Sequence, residues 1–170
     1  MTANPVSPDA HRRSKTPRTA LAGPYGHPLH AAFVAVPIGA WFASIIFDVI
    51  AFFAREPAAF ASGAATLIII GLAGAALAAV VGLLDLSQLA RGTAARRTAI
   101  THMSLNLVVV VLFVISLVLR LATDLPHAVP FLVSLVALAT VGISGWLGGM
   151  LAYRFGVRVA DESTQREGFR

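Results

Sequence analysis

The sequence predicts an all-α integral membrane protein, a four-helix up-and-down bundle. Three observations predict it. First, 57% of the 170 residues are hydrophobic and only 12% are charged, whereas a soluble domain carries about 25% charged residues. Too few charges remain to coat a water-facing surface, and the mean hydropathy is +0.79. Second, four apolar stretches cover about 28–54, 60–90, 99–122 and 129–153. As helices, each is long enough to cross a hydrocarbon layer of roughly 30 Å. Third, eleven of the thirteen Lys and Arg residues fall in the N-terminal tail, the second loop and the C-terminal tail, leaving only Arg55 and Arg120 for the other side. That bias predicts cytoplasmic termini, and an even number of spans agrees with it.

Composition also excludes functions. The net charge of +5 comes from arginines beside apolar spans, so the partner it implies is the bilayer surface and not nucleic acid. There is no cysteine, hence no disulfide, no iron–sulfur ligation by this chain and no haem attached through C-x-x-C-H. No nucleotide loop, nucleophile elbow or H-E-x-x-H is present. Residues 1–24 are polar and basic, without the apolar core of a signal peptide, and are expected to form a disordered cytoplasmic tail. Arg12, Arg13, Lys15 and Arg18 in it are within reach of anionic lipid. Residues 25–156 make the membrane domain, and 157–170 a short polar cytoplasmic tail.

Span one opens on Gly26-His27-Pro28-Leu29-His30. Pro28 suits the first helical position and holds His27 in extended backbone before it. Pro37 should kink the span. Eighteen residues make five whole turns, so His30 and Asp48 share a face, about 27 Å apart along the axis. Val34, Pro37, Trp41 and Ser44 lie on that face between them. Ala35, Gly39 and Ala43 form a small-residue row, expected to pack on a neighbouring helix. In span two the row is Gly71, Ala75, Ala78 and Gly82, with Asp85 continuing it. Gly92 is expected to end that helix. Thr98 is the expected cap of span three, which mirrors span one: His102, Asn106, Val109, Phe113, Ser116 and Arg120 share one face. Each of the two spans has a histidine at its start, then a serine, then a charge, at the same spacings, which suggests an internal repeat. Span four carries Gly142, Gly145, Gly149 and Ala152 as its small row, and Trp146 and Tyr153 suit the membrane interface.

Up-and-down threading gathers these residues at two depths. His27, His30, Asp85 and His102 lie near the cytoplasmic face; Asp48 and Arg120 lie near the outer face and are expected to form a structural ion pair. The inner cluster admits several uses. A histidine can donate to Asp85 and brace the helices. His30 and His102 can hold haem b, because haem takes two axial nitrogens from opposite sides and a diagonal pair of helices stands roughly 12–14 Å apart. Arg91, Arg96 and Arg97 would then neutralise the propionates. His27, His30, His102 and Asp85 can form a metal site. The same groups can relay protons or line a solute path, which with only four spans would require an oligomer. His11 and His127, in a tail and a loop, are expected to face solvent.

Taken together, Gly26-His27-Pro28-Leu29-His30, Pro37-Ile38-Gly39-x-Trp41, Asp48, Gly82-x-x-Asp85 and His102-x-x-x-Asn106 resemble a bacterial family of four-span membrane proteins, domain of unknown function 2231. The resemblance covers about residues 25–159. Ala31 departs from it, since the family usually has a proline there. The resemblance implies four helices and the bacterial inner membrane, with no established activity. Some relatives look as though they carry a Rieske-type domain behind the same unit, which by analogy points to a redox-accessory subunit with a redox partner or a second copy beside it.

Overall fold

The computed structural model describes residues 8–122 and 127–170. The expected loop at 123–126 and the first seven residues of the N-terminal tail lie outside them. Helix α1 is Pro8–Lys15. Two single turns, Ala20–Ala22 and Pro24–Gly26, lead to α2, Leu29–Phe33, and α3, Ala35–Phe53. Then come α4, Pro57–Gln88, α5, Ala94–Ala122, and α6, Ala128–Gly149. A π-helical turn, Met150–Arg154, extends α6, and α7, Glu162–Glu167, closes the chain. Four helical stretches are long and apolar enough to cross a membrane: Leu29–Phe53, Pro57–Gln88, Ala94–Leu121 and Ala128–Arg154.

Local chemistry explains the breaks. Pro37 has no N–H for the Phe33 carbonyl and its ring crowds the preceding turn. Span one therefore splits at Val34, whose N–H bonds the His30 carbonyl at 3.0 Å. Pro28 takes the cap position of α2 and not the first helical one. Span three starts a turn earlier than expected. Thr93 caps it, its hydroxyl accepting the Arg96 N–H at 3.2 Å, and Thr98 lies inside the helix. Helix α4 stops at Gln88, and Gly92 serves the following turn at φ +80°, a conformation a side chain would resist.

Helices α3 and α4 pack as one hairpin and α5 and α6 as another. Contacts of α4 with α5 and of α3 with α6 close the square, leaving α3 and α5 on a diagonal. Trp41, Ile68, Val109, Phe113 and Ala137 fill the centre. Phe42, Phe53, Leu77, Val80, Leu107 and Ile143 are exposed on the perimeter, an apolar coat suited to lipid.

The small-residue row of span two packs as expected. A Cβ at Gly71 would strike the Trp41 indole, at Gly74 it would come within 2.8 Å of Val36, and at Gly82 within 3.0 Å of the His30 ring. The other two rows do not pack. Ala35 and Gly39 are exposed, and a Cβ on Gly39, Gly142, Gly145 or Gly149 would meet open space. In those spans the inward face is the one bearing Ser44 and Asp48, or Ser134 and Ser144, all buried. Leaving hydroxyls and a carboxylate in lipid costs more than leaving glycines there.

The N-terminal tail also departs from expectation over residues 8–24. Helix α1 buries Ala10 and Ser14 because the C-terminal arm lies against it. The Ser14 carbonyl accepts the Arg158 N–H at 2.9 Å. A π turn and Gly156, at φ +64°, bring that arm back across the end of the bundle.

Candidate functional site

At the end of the bundle expected to be the inner one, two histidines face the bundle axis from α2 and α5. His30 Nδ1 lies 2.8 Å from the Ala78 carbonyl oxygen on α4. His102 Nδ1 lies 2.8 Å from the Ser144 carbonyl oxygen on α6 and 2.9 Å from its hydroxyl. A carbonyl only accepts, so each Nδ1 carries the hydrogen and each Nε2 is the bare, basic nitrogen. Asn106, one turn along α5, donates to His102 Nε2 at 3.1 Å. The two rings stand 6.4 Å apart between centroids, their planes crossed at 86°. Glycine on the adjoining helix admits each ring: a Cβ on Gly82 would lie 3.0 Å from His30, and one on Gly148 3.3 Å from His102.

Asp85 sits one turn beyond Gly82 and meets Arg158 at 3.2 Å, both largely buried. Arg158 also donates through Nη2 to the Ala22 and His27 carbonyls, at 3.2 and 3.1 Å. It thus ties α4 to both chain ends. His27 contributes its backbone there, while the residue is exposed and its backbone extended. Among the described residues, no three His, Asp or Glu side chains converge as a metal cluster. Arg96 donates to the Leu86 and Leu89 carbonyls at 3.2 and 2.9 Å, sealing the end of α4. Arg97 holds the Gly92 carbonyl at 3.0 Å, and Arg91 is exposed.

At the opposite end, expected to be the outer one, Arg120 meets Asp48 through two parallel bonds of 2.7 and 2.6 Å. Asp48 is fully buried, and Arg120 is 6% exposed. Such a fork is the strongest geometry open to the pair. Ser116 donates to the Pro130 carbonyl at 2.9 Å and lies 2.7 Å from the Ser134 hydroxyl, while Arg120 Nε reaches Ser116 at 3.3 Å. His127 is not free in solvent. Its Nε2 stands 3.2 Å from Asp48 and its ring packs on Phe52.

Between the two ends lies a dry plug. Trp41 stacks on Phe113 at 4.3 Å and 13°, with Ile68, Val109 and Ala137 around them. The plug shares a pattern with the clusters it separates. Asp48 and Arg120 are 72 residues apart, and so are Trp41 and Phe113, Ser44 and Ser116, and His30 and His102. On the partner helices the offset is 66, linking Ala78 to Ser144 and Gly82 to Gly148. Three of these equivalent pairs touch each other across the axis. Two parallel hairpins are therefore related by a pseudo-two-fold along the bundle.

Three residues of the site escaped the sequence. Ser144 was signalled by the offset it shares with Ala78. His127 was hidden by its place in a loop, and Arg158 by an irregular arm in which its own φ is 60°.

The fold and its polar clusters define a class: a four-span helical-bundle membrane protein built from two matched hairpins. Residues 26–161 match the family described as predicted membrane protein DUF2231, and the chain belongs to that family. No curated protein and no solved structure matches it.

Proposed function

We propose that the protein is a redox-accessory subunit of the bacterial cytoplasmic membrane, with both termini on the cytoplasmic side, in which His30 and His102 are the axial ligands of a haem b. The observation that carries this reading is the ring separation of 6.4 Å. Two imidazoles bound to opposite sides of one metal, at metal–nitrogen distances near 2 Å, have centroids about 6.3 Å apart. The donor set agrees with it. Two Nε2 atoms without a third ligand would suit an iron already held by a macrocycle, once Asn106 gave up its bond to the one on His102, and they are too few for a bare divalent ion. The carbonyls of Ala78 and Ser144 hold the rings in the tautomer and orientation that ligating histidines use. When bound there, haem supplies one-electron chemistry. Arg91 has its guanidinium free for a propionate among the described residues, whereas Arg96 and Arg97 hold carbonyls. The plug of Trp41 and Phe113 disfavours a continuous proton or solute path.

A second reading has its own support. Asn106 already occupies His102 Nε2, so the histidines can serve as helix braces alone. A visible spectrum decides. Protein from haem-replete cells is expected to show a Soret band that shifts on dithionite and disappears in His30→Ala and in His102→Ala. A colourless preparation overturns the haem reading and leaves the braces.

A further inference from the structure

The two chain ends build a second site, away from the histidines. Helix α1, the end of α4, the start of α5 and the C-terminal arm enclose a crevice of ≈ 310 Å³. Its wall is mostly apolar, Ala10, Leu89, Ala90, Ala95, Phe155 and Val157, and its polar members are His11, Ser14 and Thr93. The Ser14 hydroxyl is turned away, donating to the His11 carbonyl at 2.6 Å. The volume is that of a small-ligand pocket, about 300–1,000 Å³, and such a wall gives water few partners. The crevice lies where the apolar part of α4 gives way to the second loop, the end of a span that by its length would meet the lipid headgroups.

Basic residues stand next to its lining in the chain. Arg12 and Arg13 follow His11, Arg91 follows Ala90, and Arg154 precedes Phe155 and lies 5.8 Å over its ring. All four are exposed. The guanidinium groups of Arg12, Arg13 and Arg91 make no hydrogen bond or ion pair among the described residues. One carboxylate, Asp9, stands in the same stretch of α1. Arg96 is held elsewhere, its guanidinium fastened to the Leu86 and Leu89 carbonyls. An apolar cleft at the polar end of a membrane-spanning helix, with exposed guanidinium groups on residues adjoining its lining, calls for one molecule that is both apolar and anionic.

We propose that this crevice binds an anionic phospholipid. An acyl segment fills the space beside Ala10 and Phe155, and the phosphate lies among Arg12, Arg13, Arg91 and Arg154. The site exists only because the two chain ends meet through the Arg158 N–H and the Ser14 carbonyl. Its lining includes neither His30 nor His102; Arg91 alone is shared with the haem reading, and a Soret band retained in the variant Arg12→Gln, Arg13→Gln, Arg91→Gln separates the two.

The test uses the full chain, delipidated in a non-ionic detergent, with bound lipid counted by native mass spectrometry and the melting temperature followed. The probes are phosphatidylglycerol, phosphatidylcholine with the same acyl chains, and glycerol phosphate. Phosphatidylglycerol is expected to bind and raise the melting temperature, and the other two are not. Ala10→Trp fills the crevice, and the triple variant Arg12→Gln, Arg13→Gln, Arg91→Gln empties its mouth. Each is expected to weaken phosphatidylglycerol binding roughly tenfold or more, and the triple variant also to flatten its salt dependence. If Ala10→Trp does not fold, the triple variant, confined to exposed side chains, decides alone. Equal binding of the two lipids, competition by glycerol phosphate, or unchanged binding in the triple variant overturns the proposal.

Discussion

Residues 29–88 and residues 94–154 build the same hairpin twice, and the differences between the halves sit next to the axis. In the first half Trp41 and Asp48 face inward; in the second, Phe113 and Arg120 stand in their places. Two identical halves would set like charges against each other at the outer end. One half carrying the acid and the other the base turns that repulsion into a buried fork. The inner end differs in another way. His102 is held by the Ser144 hydroxyl as well as its carbonyl, and by Asn106. His30 has Ala78 in place of the serine and Val34 in place of the asparagine, with Asp85 on the helix beside it. The halves thus share geometry and divide the chemistry: the second fixes its histidine, and the first leaves its histidine with fewer partners. Pro37 adds a further difference, for it breaks span one at Val34 while α5 runs unbroken past Val109, the equivalent position.

The charge pair offers the sharpest way to break this comparison. Asp48→Asn leaves a buried guanidinium unpaired and is expected to lower stability by about 3–5 kcal/mol, read from unfolding in detergent. If the pseudo-two-fold is real, the exchange Asp48→Arg with Arg120→Asp recovers most of that loss. An exchanged protein no more stable than the single variant would show that the two positions are not equivalent.

A smaller effect is expected at the paired glycines. Gly82→Ala places a Cβ 3.0 Å from the His30 ring, and such overpacking costs about 1–3 kcal/mol. Gly148→Ala stands 3.3 Å from His102, and the gain of about 1 kcal/mol from replacing a helical glycine offsets most of the crowding. Melting temperatures should therefore fall for the first and stay near wild type for the second. Equal losses would mean that both rings are packed alike.

The smallest effect lies outside both halves and serves as a control. Asp161 caps α7, accepting the Thr164 N–H at 2.9 Å and the Ser163 hydroxyl at 2.8 Å. These bonds, the backbone one foremost, hold its carboxyl down to about 2 from an ordinary value of 3.8. A depressed acid stabilises above its unfolded pKa and loses that contribution as the pH falls through its folded one. Helix α7 should persist above pH 4 and fray toward pH 2, with the Asp161→Ala protein losing this dependence, as followed by amide NMR signals of residues 162–167. The spectrum of the rest of the protein should not change in step with it.

The fold was legible because membrane spans announce themselves. Long apolar runs between arginine-rich segments allow little except helices, and short connections force neighbours to run antiparallel. The shared face of His30, Trp41, Ser44 and Asp48 followed from helical spacing alone, as did that of His102, Phe113, Ser116 and Arg120. Spacing was a poor guide where side chains of unlike cost compete for the interior. Gly39, Gly142 and Gly145 look like a packing surface on paper, yet they face outward because serines and an aspartate claim the inside. Thr98 looks like a cap, and Thr93 is one, because the helix begins as soon as the turn at Gly92 permits. The chain ends were misjudged for a different reason. Each is polar and irregular by itself, and only their mutual contact buries Ala10 and Ser14.

What the sequence determined by itself was the set of rods and the polar face that spans one and three turn inward, since the cost of polar groups in lipid and the 3.6-residue period act within a single segment. Threading already suggested that His30 meets His102 and Asp48 meets Arg120; what only the tertiary structure decided was that Trp41 stacks on Phe113, that His127 joins Asp48, and that Arg158 lies over Asp85. These are contacts between segments far apart in the chain. They depend on how two hairpins pack across a shared axis, and no local rule of spacing carries that information.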